Sequence, residues 1–268
     1  MSTTPNILDK IIAQKRLEVA ERKELYPVRL LEKSLYFEST PVSMRKYIQR
    51  PDLSGIIAEF KRKSPSKGII NAHAPVERTT IGYMQAGASA LSVLTDKPFF
   101  GGSNEDLTLA RRFNFCPIIR KDFTIDAYQV LEAKSIGADA ILLIAAVLTP
   151  AESKTLAALA HSLGMEVLLE VHDEAELQAN LEVGADMIGV NNRNLKTFEV
   201  SIEISKRLAP LIPASVVKVS ESGISSPETI SILREVGYEG FLMGENFMKH
   251  SRPEKAALEF IEQLTARV

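Results

Sequence analysis

The sequence predicts a closed (β/α)8 barrel, the TIM-barrel fold of the α/β class, preceded by an N-terminal helical extension. Eight short runs rich in Val, Ile and Leu alternate with helical patterns, as in parallel strands that are buried on both faces. Glycine closes a helical stretch at Gly87, Gly137, Gly184 and Gly237, at intervals of about 50 residues, which is twice the length of a βα unit. The 268 residues also suit a barrel, which needs about 250.

The eight predicted strands are 55–60, 90–94, 117–120, 140–145, 166–171, 187–190, 216–220 and 240–243. Helices between them have recognisable starts. Thr149 and Glu152 form a capping box with Pro150 at the first helical position, and Ser-Ser-Pro-Glu at 225–228 offers the same chemistry. A doubly wound open sheet is the alternative fold. No Gly-x-Gly-x-x-Gly follows the first strand, which counts against a dinucleotide-binding sheet.

The first 54 residues precede the barrel. Thr4 is expected to cap, and Pro5 to begin, a helix whose apolar stripe consists of Ile7, Leu8, Ile11, Ile12 and Val19. This helix is expected to pack on the barrel, either shielding its bottom or helping to roof a site. No linker rich in Gly, Pro or Ser divides the chain, so we predict one domain, 1–268, with the extension at 1–54 and the barrel at 55–268.

Composition narrows the class of function. A net charge of −2 gives no global basic field for nucleic acid or anionic membranes. The longest apolar run, 140–148, is much shorter than the ~20 residues that span a bilayer, and the N-terminus has no signal-peptide core. The single cysteine, Cys116, excludes an internal disulfide framework. We therefore expect a cytoplasmic protein that binds neither nucleic acid nor membrane. Nothing in the composition requires a partner chain, and a monomer is expected.

Ionisable residues stand at the ends of several predicted strands, where barrel enzymes carry their reacting groups. Glu59 and Lys61 are two residues apart and share a face, and burying both is costly unless they pair or act on a ligand. Lys121 and Glu170 end later strands, so all four are expected to converge at the barrel mouth. We interpret them as an acid–base set whose pKa values shift toward neutrality. The alternative is a set of solvated charges.

A second signal lies after the last two strands. Ser222 and Gly223 follow the seventh strand and Gly244 follows the eighth, the usual place for a phosphate in this fold. Glycine allows backbone N–H groups to approach an anion closely. Ordinary turn glycines are the alternative interpretation.

Other candidates are weaker. His172 lies beside Glu170, but the acidic residues after it indicate a helix start, so a structural role is favoured. Cys116 is interpreted as a small core residue. The remaining histidines are scattered, and their spacing resembles no metal site, so no metal is expected.

These strand ends, taken in order, resemble those of indole-3-glycerol phosphate synthases. The most specific match is Glu-Phe-Lys-Arg-Lys-Ser-Pro-Ser at 59–66. The likeness continues through the Phe100 loop, Arg-Lys-Asp-Phe at 120–123, Leu-Glu-Val-His at 169–172, Asn-Asn-Arg at 191–193, Ser-Glu-Ser-Gly at 220–223 and Leu-Met-Gly-Glu at 242–245. The N-terminal helical extension is a further feature of that family.

The resemblance implies conversion of 1-(2-carboxyphenylamino)-1-deoxyribulose 5-phosphate to indole-3-glycerol phosphate, with loss of CO₂ and water, in tryptophan biosynthesis. No cofactor is implied, since the substrate's own carbonyl drives the reaction. By similarity, Lys121 is the acid for ring closure and Glu170 is the base. Lys61 binds the substrate carboxylate and serves as a second acid. Glu59 and Asn191 hold these groups in position.

The resemblance also implies the groups that bind the substrate. Phe100 and Phe123 flank the anthranilate ring, and Arg193 meets the carboxylate. Phosphate contacts are implied for Ser64, Ser222, Gly223 and Gly244, and substrate contacts also for Glu221 and Leu242. Some relatives have serine after the last glycine, where this chain has Glu245, so phosphate contact there is expected from backbone N–H groups.

Three other functions fit a phosphate-binding barrel. A phosphoribosylanthranilate isomerase would use an acid with a thiol or second carboxylate, but Cys116 is at the wrong end of its strand. A Schiff-base aldolase would use Lys61 or Lys121 with a lowered pKa, which leaves the aromatic loop unexplained. A barrel that binds phosphometabolites without turnover does not need the Lys121, Glu170 and Lys61 set.

Overall fold

The computed structural model describes residues 6–194 and 197–266. Its eight barrel strands are β1 Ile56–Phe60, β2 Ala90–Leu94, β3 Ile118–Lys121, β4 Ala140–Ile144, β5 Glu166–Val171, β6 Met187–Asn191, β7 Val217–Glu221 and β8 Gly240–Met243. Each strand pairs in parallel with the next, and β8 closes onto β1. The predicted (β/α)8 barrel is confirmed, every strand boundary lies within one residue of its prediction, and the open sheet is excluded.

The described helices are α1 Ile7–Leu25, α2 Val28–Leu31, α3 Met44–Ile48, α4 Val76–Gln85, α5 Lys97–Phe100, α6 Asn104–Phe113, α7 Ala127–Ser135, α8 Pro150–Ser162, α9 Glu174–Asn180, α10 Glu203–Leu208, α11 Pro227–Glu235, α12 Glu245–Met248 and α13 Pro253–Thr265. A 3-10 turn spans Ala209–Leu211, and a hairpin pairs Lys63–Ser64 with Gly68–Ile69. The capping box predicted at Thr149 forms at the start of α8. The four helix-closing glycines all have φ between 86° and 95°, the left-handed region that their role requires.

The start of α1 differs from the prediction. The described helix begins at Ile7, and Asn6 caps it through a capping box with Asp9. The Asn6 side chain accepts from the Asp9 N–H, and the Asp9 carboxylate accepts from the Asn6 N–H. Thr4 and Pro5, the predicted cap and first residue, lie outside the described residues.

The N-terminal helices cover both ends of the barrel. Ile7, Leu8 and Ile11 of α1 line the cavity at the carboxyl ends of the strands, so α1 helps to roof the site. Met44 and Ile48 of α3 are buried with the barrel interior, and Glu166, the first residue of β5, accepts hydrogen bonds from Ser43 and Arg45. Of the two positions that the sequence left open for the first helix, α1 takes the one over the site, and α3 covers the bottom of the barrel.

The barrel strands are buried on both faces. Ile57 belongs to the cluster inside the barrel, whereas its neighbours Ala58 and Phe60 belong to the layer between strands and helices. Side chains alternate along a strand, so Glu59 continues the inward face of Ile57. Cys116 is buried in the outer layer, as predicted.

Among the helices of the described residues, none is both long enough and apolar enough to cross a lipid bilayer.

Candidate active site

A cavity of about 590 Å³ opens at the carboxyl ends of the strands, and all eight strands contribute residues to it. Its volume is in the range of small-molecule sites. The cavity brings together all fourteen site residues that the sequence singled out: Glu59, Lys61, Ser64, Phe100, Lys121, Phe123, Glu170, Asn191, Arg193, Glu221, Ser222, Gly223, Leu242 and Gly244.

Lys121 lies at the centre of the charged groups. Its Nζ is 3.0 Å from Oε2 of Glu170 and 3.3 Å from Oε2 of Glu221. Both carboxylates are almost fully buried, Glu170 on β5 and Glu221 on β7, on either side of β6. We call these three residues the Lys121 cluster. A charge cluster of this density persists in a protein interior only because its members pair with one another.

Glu170 is held by two further contacts. The Asn191 side-chain amide donates to Oε1 of Glu170 over 3.1 Å, and Nε2 of His172 lies 3.3 Å from the same oxygen. The other nitrogen of His172 lies 3.1 Å from Glu176, at the start of α9. His172 therefore links the carboxylate of Glu170 to the following helix, a contact that the favoured structural role of this histidine did not specify.

Glu221 is the member of the Lys121 cluster that has a carboxylate oxygen without a hydrogen-bond partner. Its Oε2 faces Lys121, but its Oε1 is buried without a hydrogen-bond partner. Gly189 makes room for this side chain, since a Cβ at that position would lie 2.2 Å from Oε1 of Glu221. Burial and the nearby charge of Glu170 raise the pKa of Glu221 above its usual range, against the opposing effect of Lys121.

The expected shift of all pKa values toward neutrality is wrong for Lys121 and Glu170. Burial works against charge on both, but Glu170 and Glu221 outweigh it and raise the pKa of Lys121. Lys121, His172 and Asn191 likewise outweigh burial and lower the pKa of Glu170. Opposite charges at 3.0 Å stabilise each other's ionised form, so in the free cavity Lys121 is an ammonium and Glu170 a carboxylate.

A second ion pair stands at the end of β1. Nζ of Lys61 is 2.6 Å from Oε1 of Glu59, as the shared face of these positions predicted. The Cβ of any residue other than glycine at 244 would lie 2.6 Å from the same Glu59 oxygen. Gly244 thus has a local steric reason to be glycine, in addition to the close approach of an anion.

Two aromatic rings form part of the cavity wall. The ring centroids of Phe100 and Phe123 are 5.9 Å apart, with 40° between the ring planes. Phe100 belongs to the short helix α5, and Phe123 follows β3 two residues after Lys121. Leu142 and Ile144 of β4 add apolar surface. This wall suits a flat apolar ring.

The side formed by the loops after β7 and β8 is polar. Ser222 and Gly223 both have positive φ, 68° and 74°, and the Ser222 hydroxyl donates to the Asn191 side chain over 2.9 Å. Glu245 lies between two cations, 3.4 Å from Nζ of Lys67 and 3.7 Å from the guanidinium of Arg193. Cations, hydroxyls and left-handed backbone at one place are features of anion-binding sites.

Sequence reasoning missed several residues of the cavity. The apolar roof from α1 was an open alternative, and the cations Lys67 and Lys249 at the polar side were not singled out. Leu94 ends a predicted strand and Ile144 lies one residue before the end of another, so the same rule that found the charged residues could have found these two. Leu142 lies in the middle of its strand, and that rule does not single it out.

Fold and cavity together define a class: a (β/α)8-barrel enzyme with acid–base chemistry at the carboxyl ends of its strands. The family model of indole-3-glycerol phosphate synthase matches residues 8–260 of the chain. The chain therefore belongs to the indole-3-glycerol phosphate synthase family, as the motifs at the strand ends predicted.

Individual relatives agree. The chain is 49% identical over 259 residues to indole-3-glycerol phosphate synthase of Bacteroides thetaiotaomicron, covering 97% of this chain and 99% of that protein. It is 46% identical over 257 residues to the synthase of Polaromonas naphthalenivorans, covering 95% and 98%. It is 42% identical over 243 residues to that of Campylobacter fetus, covering 91% and 94%.

Solved structures support the fold alone. One similar structure is 3-hexulose-6-phosphate synthase from Salmonella typhimurium, with a TM-score of 0.62 and 13% identity over 80% of this chain and 99% of that one. Another is thiamine phosphate pyrophosphorylase from Pyrococcus furiosus, with a TM-score of 0.60 and 14% identity, covering 84% and 98%. At such identities these structures carry no argument about the reaction.

Proposed function

We propose that this cavity converts 1-(2-carboxyphenylamino)-1-deoxyribulose 5-phosphate to indole-3-glycerol phosphate, with loss of CO₂ and water. Family membership makes the chain a carbon–carbon lyase of tryptophan biosynthesis. The observation that carries the proposal is the Lys121 cluster, which faces the Lys61–Glu59 pair within one cavity. An acid, a base and a second cation are the groups that this reaction requires.

Ring closure is assigned to Lys121. Its two carboxylates keep it protonated, so it offers a proton to the substrate's ketone oxygen as the carboxyl-bearing ring carbon attacks the ketone carbon. Phe100 and Phe123 hold the ring for that attack, which needs the two reacting carbons in close contact. The ketone oxygen must displace Glu170 from Lys121, and this separation makes Lys121 a stronger acid and Glu170 a stronger base.

The later steps use Glu170 and Lys61. Loss of CO₂ restores the aromatic ring, with the electrons of the breaking bond returning to the ring. Dehydration then requires removal of a proton, assigned to Glu170, and protonation of the departing hydroxyl, assigned to Lys61. Asn191 and Glu59 hold these two groups in position. Electrons flow only within the substrate, so the proposed chemistry needs no cofactor.

Substrate binding is assigned to the rest of the cavity. Lys61 and Arg193 bind the carboxylate, while Ser64, Ser222, Gly223 and Gly244 bind the phosphate through hydroxyl and backbone N–H groups. Glu221 and Leu242 complete the wall around the reacting carbons. Glu245 is itself an anion, so it is not assigned to the phosphate.

Two rival reactions fit the site less well. A Schiff-base lysine must be a neutral amine, whereas Glu170 and Glu221 raise the pKa of Lys121 and keep it charged. An isomerase that used a thiol would need a reactive cysteine in the cavity. Cys116 is instead buried in the outer layer, where burial raises its pKa to about 12.

The proposal is tested by incubating the purified protein with the carboxyphenylamino substrate and following indole fluorescence. We expect turnover without added metal or cofactor, and no adduct after borohydride treatment. A stable borohydride adduct would favour the aldolase reaction, and absence of any indole product would reject the proposed activity.

We also propose that the chain acts as a cytoplasmic monomer with a single domain. Every group used above comes from one chain, and α1 packs on the same barrel whose cavity it roofs. Light scattering after size exclusion is expected to give the mass of one chain, 29.5 kDa, and calorimetry a single unfolding transition. A dimer mass or two separate transitions would contradict these assignments.

A further inference from the structure

Lys15 is a charged residue at a position of α1 where an apolar residue would be expected. It occupies the apolar stripe of the helix, one turn after Ile11 and one turn before Val19, and it is only 1% exposed. A buried ammonium is very costly unless it is paired. The ion pairs of Lys15 therefore indicate its structural role.

Three carboxylates surround the Lys15 ammonium. Nζ is 2.8 Å from Glu18 of the same helix, 3.0 Å from Oδ2 of Asp96 and 2.9 Å from Oδ1 of Asp122. Glu18 is a neighbour one turn away, but Asp96 and Asp122 come from the loops after β2 and β3. We call Lys15, Asp96 and Asp122 the Lys15 cluster.

Each aspartate of the Lys15 cluster also holds the backbone of one aromatic residue of the cavity wall. Oδ1 of Asp96 accepts from the N–H groups of Phe99 and Phe100, over 2.8 and 3.2 Å, and so caps α5. Oδ1 of Asp122 accepts from the N–H of Phe123 over 2.8 Å. One ammonium thus bridges the two carboxylates that fix Phe100 and Phe123, whose rings are 5.9 Å apart.

Asp122 is fixed from its other side as well. Its Oδ2 accepts from the Thr95 hydroxyl and lies 3.3 Å from the guanidinium of Arg120. Asp122 therefore has a fixed position next to Lys121, while the Phe100 loop is held to it through Lys15. Without the ammonium, the two carboxylates would repel each other, and the Phe100 loop would lose its tie to the Phe123 loop.

We propose that Lys15 is a positioning residue that sets the separation of Phe100 and Phe123 and thereby the affinity of the cavity for the substrate's aromatic ring. The same contacts hold α1 over the cavity. The proposal deepens the proposed function, because it assigns part of the ring's recognition to the N-terminal helix. It is tested by ring binding, which does not require turnover.

The decisive variant is Lys15→Met, which keeps the aliphatic stem and removes the charge. Two probes are titrated by calorimetry into wild type and variant: anthranilate for the aromatic side and inorganic phosphate for the polar side. We expect anthranilate affinity to fall about tenfold, the scale of a lost aromatic contact, while phosphate affinity stays within twofold. With the full substrate, KM should rise while kcat changes much less.

Glu18→Gln is the matched control. Glu18 contacts the same ammonium from the same helix, and within the described residues no hydrogen bond or ion pair joins its side chain to either aromatic loop. This variant should bind both probes as wild type does. Asp96→Asn is the second test if Lys15→Met does not fold, since it keeps an acceptor for the Phe100 N–H and loses only the charge facing Lys15. It should weaken anthranilate binding about threefold and leave phosphate binding unchanged.

Two results would overturn the proposal. Equal losses of anthranilate and phosphate affinity would show that Lys15 maintains the fold of the whole cavity without selecting for the ring. Unchanged anthranilate affinity in a folded Lys15→Met or Asp96→Asn protein would show that the ring pair is set by other contacts. Absence of indole product from wild type would reject the proposed function and leave this binding result standing.

Discussion

The Lys121 cluster and the Lys15 cluster are built from the same parts and differ in one respect. Each places a lysine, fully buried at Lys15 and partly buried at Lys121, between two buried carboxylates that come from different strand ends. In the Lys15 cluster three carboxylate oxygens face Lys15 or accept hydrogen bonds, and the fourth, Oδ2 of Asp96, accepts no hydrogen bond but lies 3.0 Å from Nζ of Lys15. In the Lys121 cluster Oε1 of Glu221 has no hydrogen-bond partner, and the lysine opens onto the cavity.

This difference separates a cluster that holds structure from one that is suited to chemistry. A fully paired set of charges has nothing left to offer a ligand, and moving any member costs several contacts. An incomplete set has an acceptor and a proton to exchange with a substrate that enters. Perturbed pKa values alone do not distinguish the two, since structural ion networks shift pKa values as well.

The largest expected effect comes from breaking the Lys121 cluster. Lys121→Ala and Glu170→Gln should each lower kcat by roughly 10² or more, because each removes a group to which we assign a proton transfer in the transition state. Substrate should still bind, as measured by calorimetry with the variant proteins. Turnover at the wild-type rate in either variant would remove the roles assigned to them.

Breaking the Lys15 cluster should affect stability first. Asp122→Asn leaves Lys15 and Arg120 short of a buried counter-charge, which typically costs about 3–5 kcal/mol of unfolding free energy. Burial opposes ionisation of Asp122, but Lys15 and Arg120 prevail and lower its pKa to about 2. Its contribution is therefore present above the unfolded pKa of about 3.9 and is lost as the pH falls through about 2.

Urea unfolding of wild type and Asp122→Asn at pH 7 and at low pH measures this contribution. The gap between the two proteins should be large at pH 7 and should shrink as the pH falls from about 4 toward 2. A gap that is independent of pH would mean that the carboxylate's charge is not what stabilises the fold.

His172 gives a smaller and more specific effect on the Lys121 cluster. Burial opposes its charge, but the nearby carboxylates of Glu170 and Glu176 raise its pKa to about 10, so at pH 7 it is a cation beside the proposed base. In His172→Asn the pKa of Glu170 should rise, and the acid limb of the pH–rate profile should move to higher pH, with kcat about tenfold lower at pH 7. A lower kcat with an unmoved acid limb would make His172 a purely structural residue.

Glu221 should show the opposite stability sign to Asp122. Its pKa is raised, mainly by burial, so its stabilising contribution is complete below the unfolded pKa of about 4.3 and is lost as the pH rises through the folded value. Glu221→Gln, which cannot ionise, should therefore be more stable than wild type above pH 8 and equal to it near pH 4. Melting curves across that range measure the difference, and a variant less stable at high pH would contradict the assignment.

The fold was predictable because each barrel strand is an apolar run closed off by polar residues or glycine. The site was predictable for a geometric reason: in a parallel barrel all carboxyl ends meet at one rim, so Glu59, Lys121 and Glu170 meet although they lie far apart in sequence. The position of each residue at the carboxyl end of its strand was enough to predict that the three would lie close together.

The features that the sequence did not predict depend on contacts between residues far apart in the chain, which no short sequence pattern indicates. Lys15 looks like an ordinary helical lysine, and its partners Asp96 and Asp122 are about a hundred residues away, so the sequence does not indicate that it is buried. The only trace is that it interrupts the stripe between Ile11 and Val19. The directions of the pKa shifts at Lys121 and Glu170 were mispredicted because they depend on which charges lie within about 3 Å.

The same substitution in both clusters most directly tests the claim that the Lys121 cluster serves the chemistry and the Lys15 cluster positions the aromatic wall. Lys121→Met and Lys15→Met are compared by steady-state kinetics with the carboxyphenylamino substrate at one pH. The structure predicts that Lys121→Met loses kcat by roughly 10² or more with KM changed only a few-fold, whereas Lys15→Met raises KM with kcat largely kept. Equal losses of kcat in the two variants would contradict this claim, and so would a loss of kcat in Lys15→Met with a rise of KM in Lys121→Met.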